Sequence, residues 1–249
     1  MAKNFNNKSV SLQQNKQNIL YGRHAVLSAL MNPKRHINKI LCTKENVEEI
    51  KNVTKIVPQI VEKKEIDKLF STDAVHQGFA LFCNRLENCT LEEITDMAES
   101  REKCHILILD QVTDPQNVGA IIRSAVAFNT LALIMQDKNS PTENGAMAKA
   151  AAGMMEHLPI ARVTNLSRAI EKLKDVGFWT VGMDGYAQTT IDKLKKPLKT
   201  AIIMGSEGKG MRRLVEENCD ISVKLPMSPL TESLNVATAA AIALYEINK

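Results

Sequence analysis

The chain has 249 residues, 44% of them hydrophobic, and a formal net charge of +4, which suits one large or two modest globular domains with a real core. No apolar run approaches the length of a membrane span, and the polar start MAKNFNNKSVSLQQNKQN is neither a signal nor a transit sequence, so a cytosolic location and no membrane partner are expected. The five cysteines form no CxxC pair and the five histidines no HxxxH or HExxH, which argues against a zinc site or a disulfide framework.

Charge is unevenly placed. Residues 1–44 hold eight Lys or Arg and no acid, whereas residues 45–103 hold eight basic and thirteen acidic residues. A confined basic front suits nucleic acid, although a solubilising lysine-rich tail has the same composition. Residues 1–17, rich in Asn, Gln and Lys, have little to bury and read as a disordered basic tail. Residues 18–84 read as a small α/β domain. A strand-like start leads to a short helix carrying Ala25, Leu27, Ala29 and Leu30, stopped by Pro33. Strand INKILCT, amphipathic helix ENVEEIKNVTKIV, strand QIVEK, helix KEIDKLFST and a last strand in HQGFALFCN follow. Residues 85–103, charged and poor in large core residues, read as a linker.

Residues 104–249 alternate short apolar runs with helical stretches. The runs are HILILD, LALIM, LPIARV, FWTVGM, TAIIM and DISVKL. That alternation predicts an α/β domain with a parallel sheet covered by helices and binding loops at the carboxyl ends of its strands. The informative loops then follow Leu109, Met204 and Leu225.

After HILILD, Val118, Ile121, Ile122 and Ala125 fall on one helical face, with Asn117 near the N-cap. Gly119, Arg123 and Ala127 lie four apart on another face, so Arg123 is held on a rigid helix among small residues. It reads either as an exposed helical arginine pairing with an acid or as a group that a substrate or second subunit approaches closely. After TAIIM, the loop GSEGKGM is glycine-dense, but Met211 and Arg212 stand where a phosphate-binding Walker loop needs Lys and Ser or Thr, and there is no GxGxxG. Glu207 within it would repel phosphate, so a cationic or hydroxyl-bearing ligand fits better. After DISVKL, the chain turns at Pro226 and Pro229 and enters an alanine-rich helix near Ser233, Leu234 and Asn235, where polar groups can cap backbone N–H groups or meet a ligand.

Taken together, DPQNVGAIIRSA, IMGSEGKGM and LPMSPLTESLNVATA resemble the three motifs of the SpoU, or TrmH-like, RNA 2′-O-ribose methyltransferases. YGRHAVLSAL, with HQGF about fifty residues later, is similar to the RNA-binding domain joined to that catalytic domain in RlmB-type enzymes, which modify a guanosine of large-subunit (23S) ribosomal RNA. One departure is Pro229, where the family usually has glycine. The resemblance implies a SPOUT methyltransferase domain at 104–249 whose C-terminal part is threaded into a trefoil knot, joined to a small RNA substrate-binding domain at 18–84. It implies S-adenosylmethionine as cofactor, held by Gly205, Leu225 and Leu234. Arg123 is implied as base or as electrostatic clamp, with Asn117, Glu207, Ser233 and Asn235 orienting it and Glu207 as its natural acidic partner. Arg23, His24, Lys34 and Arg35 are implied as RNA contacts, a homodimer as the working form, and large-subunit ribosomal RNA or a pre-ribosomal particle as partner. The same chemistry on transfer RNA or another ribosomal nucleoside, and a non-catalytic RNA-binding assembly protein, are the alternatives.

Overall fold

The computed structural model describes residues 17–195 and 197–249. Nearly all of the stretch expected to be a disordered tail therefore lies outside the described residues. Among those described, the chain forms two units.

The smaller unit takes the residues up to Glu87 and, from later in the chain, Glu143–Glu156. Its elements open with β1 (Gln17–Tyr21), α1 (Arg23–Met31), β2 (Ile37–Cys42), α2 (Val47–Lys51), β3 (Gln59–Ile60), α3 (Lys63–Asp67) and β4 (Phe79–Asn84). The sheet order is β1-β4-β2-β3. β4 is antiparallel to both β1 and β2, and β3 is parallel to β2. As expected, α1 buries Ala25, Leu27, Ala29 and Leu30 and ends at Asn32, just before Pro33. The long amphipathic helix expected over 45–57 is instead one 3₁₀ turn and the five residues of α2, with Ile50 as the only buried residue of α2. Asn52, Val53 and Thr54 are weak helix formers, and Pro58 disfavours a helical residue before it.

The larger unit begins inside the stretch expected to be a linker. There α4 (Leu91–Glu99) forms behind a capping box, in which Thr90 and Glu93 each accept the other's backbone N–H. Its buried residues Ile94 and Ala98 join the core of this unit. Residues 85–103 are thus partly core: the helix buries one narrow stripe and leaves the rest charged. β5 (Cys104–Leu109), α5 (Pro115–Ala127), β6 (Ala132–Gln136), α6 (Gly145–Ala151), β7 (Ile160–Val163), α7 (Leu166–Asp175), β8 (Trp179–Met183), β9 (Thr189–Thr190), β10 (Lys199–Met204), α8 (Arg213–Glu216), β11 (Ile221–Lys224) and α9 (Val236–Asn248) follow. The seven strands run β7-β6-β5-β10-β8-β11-β9, every pair parallel. All six residues of β5 are buried, the pattern of a strand covered on both faces.

Of these elements α6 belongs to the smaller unit, where it packs against β1. A Cβ on Gly145 would stand 2.6 Å from the Tyr21 ring and 2.7 Å from the Ile19 carbonyl oxygen, so only glycine admits this approach. The same segment supplies Glu143 and Glu156 to Arg35, whose side chain is fully buried. Arg35 donates from Nη1 to Glu143 at 2.6 Å and to the Asn84 carbonyl at 2.9 Å, and from Nη2 and Nε to Glu156 at 2.5 and 3.2 Å. Burial works against its charge, but the Glu156 hydrogen bond and both carboxylates outweigh it and raise its pKa.

Candidate active site

Strand register places the site. Leu109 pairs with Met204, Met204 with Met183 and Met183 with Val223, so β5, β10 and β11 end at one level across the sheet. The three loops expected to carry chemistry therefore leave the same edge of the larger unit, the carboxyl edge at which parallel sheets bind ligands.

The first loop runs into α5. Asp114 is the N-cap, its carboxylate accepting the Gln116 N–H, Pro115 occupies the first helical position, and Asn117 stands in the first turn, near the cap as expected. Asn117 is half-buried. Val118, Ile121, Ile122 and Ala125 are buried as their spacing requires, and Arg123 projects from the exposed face.

The second loop closes on itself. Ser206 and Gly210 exchange two backbone hydrogen bonds of 3.0 and 2.9 Å, with Gly208 and Gly210 at φ 81° and 67°. A Cβ on Gly205 would lie 2.1 Å from the Gly210 carbonyl carbon and 2.3 Å from the Met211 nitrogen. The close approach that demands glycine here is thus made by the loop's own backbone. Glu207 sits at the exposed tip. No ion pair or hydrogen bond joins it to Arg123, so the expected acid–arginine pair is not formed.

The third loop runs from Leu225, which is 8% exposed, past an exposed Ser233 and a half-buried Leu234 to Asn235. Asn235 caps α9, its Oδ1 accepting from Ala237 and Thr238. Its Nδ2 donates to Asn117 Oδ1 at 3.0 Å, joining the third loop to the first. Between Leu225 and Leu234 the hydrogen bonds are those of a local turn, Thr231 N–H to the Ser228 carbonyl and Leu230 N–H to its hydroxyl. The remaining backbone donors and acceptors of the loop, Leu225, Leu234 and the glycine loop fit an adenosine-bearing ligand with a sulfonium: apolar surface for the base and polar groups for the rest.

A contact that sequence reasoning missed binds the first loop to the second. Asp110, fully buried after β5, accepts from the Arg212 backbone N–H and from its Nε, each at 2.8 Å. The signal was an acid ending the apolar run HILILD. No cluster of metal-ligating side chains occurs among the described residues.

The expected RNA contacts, all in the smaller unit, divide. Arg23 is exposed and paired with Glu49, whose hydrogen bond and charge raise its pKa. His24 and Lys34 are exposed. Arg35, bonded as above with its side chain fully buried, has no exposed guanidinium to offer RNA in this structure.

A parallel α/β sheet with three motif loops on its carboxyl edge, in a chain that also carries a separate four-stranded unit, defines an enzyme-like scaffold with an additional module. Residues 105–245 match the model of the SpoU rRNA Methylase family, and residues 19–89 match that for RNA 2′-O ribose methyltransferase substrate binding. A putative TrmH family tRNA/rRNA methyltransferase of Staphylococcus aureus (strain MSSA476) is 38% identical over 92% of this chain and 94% of its own length. An uncharacterized tRNA/rRNA methyltransferase of Synechocystis is 37% identical over 92% of this chain and 62% of its own. In fold the chain is similar to the SpoU methyltransferase AviRb from Streptomyces viridochromogenes in complex with AdoMet, with a TM-score of 0.80 at 19% identity, covering 97% of this chain and 93% of that one. The chain belongs to the SpoU methylase family.

Proposed function

We propose that this protein transfers a methyl group from S-adenosylmethionine to the ribose 2′-hydroxyl of a guanosine in large-subunit ribosomal RNA. The observation that carries the reading is the Asn117–Asn235 hydrogen bond, which links the first and third motif loops on the helix that bears Arg123. The loop leucines and unpaired loop backbone support the cofactor assignment, with Gly205, Leu225 and Leu234 as the residues that would hold it. When bound, the cofactor would supply the methyl group from its sulfonium and leave as a neutral thioether.

The ribose hydroxyl that accepts the methyl group would give up its proton to solvent or a nearby base. Arg123 is exposed and without a partner among the described residues, so it serves as a solvated cation rather than as a base. It clamps the developing alkoxide, while Asn117, Glu207, Ser233 and Asn235 orient ribose and loops. In the smaller unit, Arg23, His24 and Lys34 are the proposed RNA contacts. A threaded knot accords with the late strand β10 lying between the earlier β5 and β8. A homodimer accords with exposed Ile242 and Tyr245 on α9. Ala237, Ala240 and Ala243 of the same helix are buried within the chain itself.

The test is methyl transfer from labelled S-adenosylmethionine to large-subunit ribosomal RNA and, separately, to transfer RNA, with mapping of the 2′-O-methyl position. Label on one ribosomal guanosine supports the proposal. Label confined to transfer RNA keeps the chemistry and overturns the substrate, and cofactor binding with no label on either overturns the enzyme reading. Arg123→Ala is expected to lower the rate about 100-fold or more with cofactor affinity within twofold.

A further inference from the structure

Asp110 and Arg212 are coupled in an unusual way. The carboxylate is fully buried, a costly position unless its charge is matched. It takes one hydrogen bond from the Arg212 side chain, through Nε, and one from the Arg212 backbone. The guanidinium is therefore fixed at one edge only. Nη1 and Nη2 have no partner among the described residues, and the side chain is 37% exposed. A bolt between two loops would use the Nε–Nη edge as a fork on the carboxylate. Here the backbone N–H takes one half of that task and both terminal nitrogens are left over. Arg212 directly follows the glycine loop, and Asp110 opens the loop leading to α5, so these nitrogens stand at the strand edge where β5 and β10 end. Lys209 in the same loop is exposed and adds positive charge, and Glu207 opposes it.

We propose that Arg212 is an oxyanion-binding residue of the site, oriented by Asp110, whose terminal nitrogens grip either the carboxylate of S-adenosylmethionine or a phosphate of the RNA strand. This inference rests on the functional reading above. Planar presentation of two N–H groups matches both oxyanions, and a preset guanidinium loses little freedom on gripping one.

Two measurements test it. The first is titration of the full chain and its Arg212→Lys variant with S-adenosylmethionine, and separately with the RNA that the wild type binds. Lysine keeps the charge beside Asp110 but lacks the terminal fork. A loss of about tenfold or more is expected, the scale of a charge-assisted hydrogen bond, for the cofactor alone or for the RNA alone, and this identifies the oxyanion. Unchanged affinities for both overturn the proposal. The second needs no variant: wild-type protein is treated with phenylglyoxal, and modification of Arg212 is read by mass spectrometry. Protection by S-adenosylmethionine but not by its decarboxylated analogue supports the carboxylate, and protection by RNA alone supports the phosphate. Equal protection by the analogue, or none by either ligand, overturns the proposal. A wild type that binds neither ligand overturns the functional reading and this inference together; normal wild-type binding with an unaffected Arg212 overturns this inference alone.

Discussion

Asn235 serves two masters with one amide: its oxygen caps α9 while its nitrogen, 3.0 Å from Asn117 Oδ1, ties α9 to a residue 118 positions earlier. The two functions separate by substitution. Asn235→Asp keeps the capping oxygen but offers no N–H to Asn117, so stability should stay within about 1 kcal/mol while methyl transfer falls. Asn235→Ala loses the cap as well and should cost about 1 kcal/mol more. Urea denaturation and initial rates on both variants decide it, and equal activity in Asn235→Asp and wild type would remove the tie from the mechanism.

Arg35 and Lys34 are neighbours with opposite fates. Arg35→Met strands Glu143 and Glu156 in a buried site and should cost about 3–5 kcal/mol. Lys34→Ala, exposed, should leave the denaturation midpoint unchanged and weaken RNA binding. Comparable midpoints for the two variants would contradict the buried ion pair.

Gly205→Ala places a methyl group against the backbone of Gly210 and Met211, so the loop must open. Overpacking of about 1–3 kcal/mol should reach cofactor binding as a loss of about tenfold, seen by calorimetry. Gly208→Ala meets open space and pays only for its positive φ, so its cofactor affinity should fall less than that of Gly205→Ala.

His105, the second residue of β5, is 5% exposed and leaves Nε2 without a partner. Burial lowers its pKa, Lys103 adds to that effect and the Phe128 backbone opposes it. The unfolded chain then binds a proton before the folded chain does. Stability is full above the ordinary value of about 6.5 and is lost as pH falls from there through the lowered folded value. Thermal midpoints at pH 7.5 and 5.0 should fall further for wild type than for His105→Gln; an equal fall in both would assign the loss elsewhere.

What the sequence revealed depended on range. Spacing alone put Val118, Ile121, Ile122 and Ala125 in the core, and apolar runs marked the main strands, because helix and strand periodicity are local. The burial of Arg35 was not legible, since its carboxylate partners lie 108 and 121 residues away. Nor was the Asp110–Arg212 pair, 102 apart. The α4 helix was missed because Ile94 and Ala98 are too thin a stripe to outweigh its charged neighbours. Of the candidate site, the loops were legible from glycines, prolines and strand ends, whereas the hydrogen bonds between them belong to the tertiary structure.

The segment Glu143–Glu156 carries a consequence for how the protein is born. Synthesis proceeds at about 5–20 residues per second, and the smaller unit is encoded first but lacks α6 and both Arg35 carboxylates until residue 156 has left the ribosome. Its first 87 residues must wait, with a buried-cation site unfilled, while α4, β5, α5 and β6 are made. A chain cut after Glu87 would release a module that has never been complete, so the boundary visible in space is not one along which the gene can be divided.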